Sequence, residues 1–255
     1  MPYIENYLVP SPADDLVIWR YIDLPKLLIM LEQQNLYFAL LEEFEDKWEA
    51  VISRDLSRGI QVSSGSASGT VIQNYLETFG CFGINCWYSG PSESIAMWRL
   101  YTTSIYGVAI KSTIGRLKLA LKTAKESVVI GKVEYRDHTE APSEVLAPGK
   151  VSPFTAVLQK RTCYSHECEI RAITVIDGNY EKDSISSADV CTPCPPHGVA
   201  LLVDLSILIQ SIITGPNFPR WANALLTSAL SRAAISAGVV ESNAFKAPEV
   251  RYLEP

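Results

Sequence analysis

Three groups of polar residues, far apart along the chain, have types that could do chemistry in one cleft. Arg20 lies in a predicted strand, Ser112 and Thr113 follow a predicted central strand, and Glu167 and Glu169 lead into a late one. An arginine can hold a phosphate or a ribose edge through forked hydrogen bonds. A carboxylate can stabilise the oxocarbenium-like centre that forms as a glycosidic bond breaks. Because residues two apart in a strand point to one face, both glutamates can face the same cleft.

Each group also has a purely structural interpretation. The two glutamates, followed by Arg171, fit an ion-pair run at a strand end, which contributes little to stability when it is exposed. The hydroxyl pair fits the N-cap of the helix that follows it. Arg20 can pair with Asp46 or with the first glutamate. The residues alone leave these alternatives open.

The composition excludes several classes of protein. The 255 residues suffice for one large core, and 22 basic against 28 acidic residues give a net charge of −6. This charge argues against broad binding to a phosphate backbone. The N-terminus lacks the basic and apolar regions of a signal peptide, and the most apolar run, 199–215, is short and contains Asp204. We expect a cytoplasmic protein without DNA or membrane binding, whose oligomeric state the sequence leaves open.

Cysteine and histidine occur together on two predicted loops, as in structural zinc sites. They are Cys163, His166 and Cys168 on the first loop, and Cys191, Cys194 and His197 on the second. Three prolines crowd the second loop, and the cysteines of the first lack the usual two-residue gap. We therefore expect no bound metal. Without a secretion signal, the six cysteines fit reduced thiols.

The stretch 81–111 is predicted to organise the fold. It reads as a strand containing Trp87, a helix over 92–101 and a second strand after Gly107. The strand places Trp87 in the core. Helical spacing predicts a buried side that comprises Ile95, Met97, Trp98 and Tyr101.

The remaining patterns predict alternating helices and strands. Helices are predicted over 24–33, 71–79, 112–126, 153–160, 205–213 and 219–237, and strands over 16–21, 36–39, 128–135, 172–176 and 199–203. The Ser/Gly-rich segment 62–70 predicts a surface loop. We find no internal repeat and no linker between two cores. The prediction is a single α+β domain over 1–255, with a mixed or antiparallel sheet flanked by helices and with C-terminal helices over 204–255 packed on it.

Several short motifs follow one another in a distinctive order. They are WRY from Trp19, LYFA from Leu36, FED from Phe44, CFGINCW from Cys81, ESIAMWRLY from Glu93, GVAI from Gly107 and HECEIR from His166. Over 17–203 the chain therefore resembles a large, mostly prokaryotic family, domain of unknown function 2971. That family name carries no activity. Its members often lie beside mobile and defence genes, so the resemblance implies a defence-associated effector inside the cell.

The order of the polar groups is also similar to that of the ADP-ribosyltransferases, with their arginine, Ser-Thr-Ser run and Glu-x-Glu motif. This resemblance implies NAD as co-substrate and an NAD-binding cleft formed by Arg20, Tyr21, Tyr37, Trp98, Ser112 and Thr113. It implies that Glu169 is catalytic and that Glu167 orients the acceptor. The chain departs from the pattern at Ile114, where a third hydroxyl is usual.

Two functional hypotheses follow. In the first, the protein is an ADP-ribosyltransferase or NAD glycohydrolase with a protein partner or target. In the second, it is a non-enzymatic module whose aromatic cleft binds a peptide or a small ligand. Convergence of Arg20, Ser112 and Glu169 on one concave pocket would favour the enzyme, whereas positions on separate faces would rule it out.

Overall fold

The elements around the central strand are defined in the computed structural model, which describes residues 3–6, 9–46, 49, 82–102, 104–137, 154, 157–176 and 197–246. The strands in these ranges are β1 (Val17–Asp23), β2 (Asn35–Leu40), β3 (Phe82–Ser89), β4 (Gly107–Thr113), β5 (Val128–Lys132), β6 (Glu134–Arg136), β7 (Gln159–Arg161), β8 (Glu169–Val175), β9 (Val199–Leu202), β10 (Ser211–Thr214) and β11 (Gly238–Glu241). The α-helices are α1 (Leu24–Gln33), α2 (Ile95–Tyr101), α3 (Ile114–Ala120), α4 (Leu205–Leu208) and α5 (Ala222–Arg232). Short 3-10 helices cover Leu41–Glu43, Leu121–Thr123 and Thr162–Glu167. The predicted loop 62–70 and helix 71–79 lie outside the described residues.

A mixed sheet holds most of these strands together. Its order is β11-β10-β4-β1-β3-β8-β5, and β2 joins β3 and carries β9. Neighbours are antiparallel except β10 and β11, which are parallel. A separate parallel pair is formed by β6 and β7. The predicted α+β domain with a mixed sheet flanked by helices is confirmed.

The feature that shapes the site is a split beside β3. One edge of β3 pairs with β8 over nearly its whole length. The other edge pairs with β1 only at Tyr88 and Ser89, and with β2 only at Gly83 and Ile84. Between these contacts β1 and β2 separate, and α1 connects the end of β1 to the start of β2. A gap therefore opens in the sheet next to Cys86.

The two faces of the sheet carry different partners. On one face, α1, α3, α4 and α5 pack over β-strand residues such as Ile18, Ile110 and Trp87. On the opposite face, α2 covers Trp19 and Tyr21 at one end, and a second apolar cluster lies around Phe82 at the other. Side chains alternate along a strand, so Arg20 points to the α1 face, whereas Glu169 points to the opposite one.

The central stretch is buried largely as predicted. Trp87 is 1% exposed and Trp98 3% exposed, and Met97 is buried as well. The prediction is wrong for Ile95 and Tyr101, each 43% exposed. The helix begins three residues later than predicted because Ser94 caps it, accepting a hydrogen bond from the Met97 N–H at 3.3 Å. This shorter helix presents only part of the predicted apolar side to the core.

The C-terminal part differs most from the prediction. The helix predicted over 205–213 ends at Leu208, and β10 begins at Ser211, because the β-branched run that follows pairs with β4. The predicted helix 219–237 is shortened to α5, and β11 then adds a parallel edge strand. Within the part of the chain that the structure describes, no helix is long and apolar enough to cross a membrane.

Candidate active site

A cavity of about 490 Å³ lies at the split in the sheet. Its walls come from β1, α1, β2, β3 and the segment before β8. Residues with polar groups in its lining include Arg20, Tyr21, Lys26, Gln33, Asn35, Tyr37, Cys86, Tyr88, Tyr101, Glu167 and Glu169. The separation of β1 from β2 therefore brings together side chains that originate on both faces of the sheet.

Arg20 is half-buried at the split. One of its Nη atoms donates a hydrogen bond to the Cys86 carbonyl at 2.8 Å, and its guanidinium lies 6.0 Å from the Trp87 ring centroid. Burial lowers the pKa of Arg20. No carboxylate in the described ranges lies within ion-pair distance of it. Asp46, one of the partners considered from the sequence, pairs with Arg161 at 3.0 Å instead. Donors of Arg20 thus remain for an anionic ligand.

Glu167 and Glu169 meet at Lys160, although they do not share a strand. Glu167 ends a 3-10 helix, and Cys168 turns the chain through a left-handed conformation before β8 begins at Glu169. The Lys160 Nζ lies 2.6 Å from Glu167 Oε2 and 3.3 Å from Glu169 Oε2. The other oxygen of Glu167 accepts a hydrogen bond from the Tyr101 hydroxyl at 2.9 Å. Both carboxylates line the cavity.

Arg171 completes a buried ion cluster on the same face as Glu169. Its Nε donates to Glu169 Oε1 at 2.9 Å and one Nη to Glu169 Oε2 at 3.0 Å, which forms a forked pair. The guanidinium also bonds to Glu49 and to the Val157 carbonyl. Glu49 Oε1 in turn forms an ion pair with Lys160 Nζ at 3.1 Å. The structural alternative of an exposed ion-pair run does not apply, because these groups are buried.

The cluster keeps Glu169 ionised. Burial alone would raise the pKa of this carboxyl, but Arg171 and Lys160 outweigh burial and lower the pKa to about 2. Burial would lower the pKa values of Arg171 and Lys160, yet the surrounding carboxylates raise both. Burial, reinforced by Glu167, raises the pKa of the Tyr101 hydroxyl, which therefore stays protonated and able to donate.

The charges give the cavity two unlike sides. Three carboxylates against two cations leave the buried cluster with one net negative charge. On the other face of the sheet, the same cavity is lined by Arg20 and by Lys26 of α1. The cavity therefore suits a ligand that has an anionic portion and, separately, a portion that carries or develops positive charge.

Two of the predicted aromatic residues line the cavity, in different ways. Tyr21 is buried, its hydroxyl accepts a hydrogen bond from the Ser94 N–H at 2.8 Å, and its ring packs edge-on against Trp98. Tyr37 is 46% exposed, and its hydroxyl accepts from the Gly198 N–H at 3.0 Å. The exposed ring of Tyr37 is thus accessible to a ligand, whereas the buried Tyr21 only bounds the cavity.

Three residues predicted to bind cofactor lie away from the cavity lining. Trp98 packs against Tyr21 and does not line the cavity, and its indole N–H donates to Glu93 at 2.9 Å. The Ser112 hydroxyl is buried and donates to the Leu208 carbonyl at 2.6 Å. The Thr113 hydroxyl caps α3, the structural alternative that the sequence left open. Convergence of Arg20, Ser112 and Glu169 is therefore achieved only for the arginine and the glutamate.

Lys160, Glu49 and the role of Tyr101 were not found from the sequence. Lys160 was placed at the end of a predicted helix, yet it lies in β7. No motif surrounds either Lys160 or Glu49, and Glu49 is distant in the chain from its partners Lys160 and Arg171. Tyr101 was assigned to the core. Nothing in the sequence around Tyr101 indicates that its hydroxyl donates a hydrogen bond to Glu167.

Metal ligands were sought in the same part of the chain. Among the described residues, no group of three or more His, Cys, Asp and Glu side chains is arranged to hold a metal ion. Cys191 and Cys194 lie outside those residues, and Cys163 is an exposed free thiol. The absence of a zinc site stays a prediction.

Comparisons with known proteins include a weak structural likeness. No family model matches the chain, so the resemblance to domain of unknown function 2971 is not confirmed. No curated protein matches it either. A similar solved structure is DarT of Thermus sp. 2.9 in complex with ADP-ribosylated single-stranded DNA. The two chains are 10% identical, the match covers 92% of this chain and 97% of that one, and the TM-score is 0.38. A likeness at this level is too weak to support a statement about activity.

Proposed function

We propose that the cavity binds NAD and cleaves its nicotinamide–ribose bond, as an ADP-ribosyltransferase or an NAD glycohydrolase. The observation that carries this proposal is the distribution of charge in one cavity. One side is lined by Arg20, which has no carboxylate partner among the described residues, and the other side is lined by Glu167 and Glu169. NAD has a matching distribution, with an anionic pyrophosphate and a cationic nicotinamide ring. A half-buried cation is costly unless something pairs with it, and a phosphate would do so.

The ionised Glu169 and its neighbour have different roles in this proposal. As the C1′–N bond breaks, its electron pair leaves with neutral nicotinamide and positive charge develops on the ribose. The net negative charge of the cluster around Glu169 stabilises that charge. Glu167, oriented by Tyr101 at 2.9 Å, positions the hydroxyl of the acceptor or of water and takes its proton as the new bond to C1′ forms.

The buried ion cluster favours a functional site. An apolar cluster of similar volume is often as stable as a buried ion network, so such a network is weak evidence for a role in stability. Here it lines the cavity on the side opposite Arg20. The roles as a cytoplasmic, defence-associated effector with a protein acceptor, which the resemblances imply, belong to this proposal.

Binding is tested by calorimetric titration of NAD into the wild type and Arg20→Ala, with Arg232→Ala as the control. Arg232 is exposed on α5 and does not line the cavity. Arg20→Ala should weaken NAD binding by about 1.5–3 kcal/mol, the typical contribution of hydrogen bonds to a charged group. The control should bind as the wild type does. Equal affinity in all three proteins, or none, would refute the proposal.

Chemistry is tested by release of nicotinamide and by transfer of labelled ADP-ribose to lysate protein and to added single-stranded DNA. Glu169→Gln and Glu167→Gln should both lose transfer, and Glu167→Gln should retain more cleavage of NAD by water. Label in protein supports a protein acceptor, and label in DNA overturns that part. Binding of NAD without cleavage would instead support the non-enzymatic ligand-binding module.

A further inference from the structure

One exposed row of α1 lines the cavity on the same side as Arg20. Lys26, Ile29 and Gln33 are exposed and follow at intervals of three and four residues, so they lie along one face of the helix. Met30 borders this row and is buried against the core. The helix therefore presents a cation, an apolar surface and an amide in sequence along the cavity wall.

The polar ends of this row have capacity to bind a ligand. Among the described residues, no carboxylate pairs with Lys26. Gln33 Oε1 accepts a hydrogen bond from Asn35 Nδ2 at 3.0 Å, and Asn35 also lines the cavity. A carbonyl oxygen has two lone pairs and the amide has two N–H groups, so Gln33 can still both donate and accept.

We infer that this row, the α1 platform (Lys26, Ile29 and Gln33), binds the adenosine diphosphate half of the dinucleotide. The inference rests on the proposed function. Lys26 supplies a second contact to the pyrophosphate beside Arg20, Ile29 packs on the adenosine, and Gln33 reads the edge of the base. An amide presents a donor and an acceptor side by side, which match the N7 acceptor and the N6 amino group of adenine.

The length of the platform fits this assignment. Lys26 and Gln33 are seven residues apart, which corresponds to about 10 Å along a helix. A phosphate and the base of an adenosine diphosphate in an extended conformation are separated by a comparable distance, across one ribose. The other half of the dinucleotide then crosses the split toward Glu167 and Glu169, on the opposite face.

The test compares ligands as well as variants, by calorimetry on the full chain. Lys26→Gln should weaken NAD and ADP-ribose roughly 10-fold, as for a hydrogen bond to a charged group, and the loss should shrink in high salt. Lys122→Gln is the matched control, since Lys122 is also exposed and lies outside the cavity. Gln33→Ala should weaken NAD roughly 5-fold and leave nicotinamide mononucleotide, which lacks adenosine, unchanged. The wild type should prefer NAD to its hypoxanthine analogue, and Gln33→Ala should lose that preference.

The outcomes separate this inference from the proposed function. If the wild type binds NAD and Arg20→Ala weakens it, but Lys26→Gln and Gln33→Ala bind as the wild type does, the α1 platform is overturned and the proposed function stands. If Gln33→Ala weakens NAD and nicotinamide mononucleotide equally, the assignment of adenosine to this helix is overturned. If the wild type binds none of these ligands, both are overturned.

Discussion

Replacing Glu169 with glutamine should destabilise the protein in a manner that depends on pH. The carboxyl has an ordinary pKa of 4.5 and a pKa of about 2 in the folded protein, because Arg171 and Lys160 hold its charge against the effect of burial. That difference corresponds to about 3 kcal/mol of stability at pH 7. Glutamine has nearly the same shape but cannot supply the charge, so Glu169→Gln should lose most of this stabilisation.

The sign of the pH dependence follows from the lowered pKa. A carboxyl whose pKa is lower in the folded state stabilises it above the unfolded pKa of about 4.5, and the stabilisation is lost as pH falls toward 2. The deficit of Glu169→Gln should therefore shrink from about 3 kcal/mol at pH 7 to about 1.4 kcal/mol at pH 3. Acidification should bring the two proteins together.

Urea unfolding followed by tryptophan fluorescence at both pH values measures this deficit. Glu32→Gln is the control, because Glu32 is exposed on α1 and does not line the cavity. It should change stability by no more than about 0.5 kcal/mol at either pH. A deficit for Glu169→Gln that is the same at pH 3 and pH 7, or below about 1 kcal/mol at pH 7, would show that the ion cluster does not hold Glu169 as described.

Three further substitutions test the core and the corrected site. Trp98→Ala should lower the free energy of unfolding in urea by about 3–5 kcal/mol because it leaves a large cavity. Trp221→Ala, at a ring that is 68% exposed, should lower it by less than about 1 kcal/mol. Similar losses for the two variants would contradict the central role of Trp98. Ser112→Ala should cost about 1–2 kcal/mol, since the buried Leu208 carbonyl loses its donor, and should leave NAD affinity unchanged in calorimetry. Tyr101→Phe should lower kcat for NAD cleavage roughly 5-fold with little change in KM, and an unchanged kcat would exclude a role for its hydroxyl.

Local patterns in the sequence were sufficient for the elements near β3. The bounds of α1 are those predicted, because its leucine spacing and its proline in the first turn agree with its packing on the sheet. The strand containing Arg20 was predicted to begin one residue before β1 begins and to end two residues before β1 ends. In contrast, the run after Asp204 is largely apolar, and its spacing does not distinguish a helix from the short α4 followed by β10.

Only part of the site was predictable from the sequence. Arg20 in a strand and the Glu-x-Glu motif marked two sides of the cavity, which lie together in the structure. Ser112 was assigned wrongly to the cavity because a hydroxyl in a strand has several uses, and the sequence does not show that the Leu208 carbonyl is within reach. Lys160 was missed because it was assigned to a helix, and because tertiary structure alone brings Glu49 to it.

The split in the sheet explains why a charged site can exist in so apolar a core. If β1 continued to pair with β3, the Cys86 carbonyl would be occupied by a ladder hydrogen bond and Arg20 would have no acceptor there. Because β2 takes over the same edge of β3 further along, the intervening backbone stays open and the Cys86 carbonyl can accept a hydrogen bond from Arg20. In the proposed function, the same separation lets NAD contact Arg20 from one face and Glu169 from the other. The register of β3 with its two partners, rather than any single motif, therefore determines the position of the site.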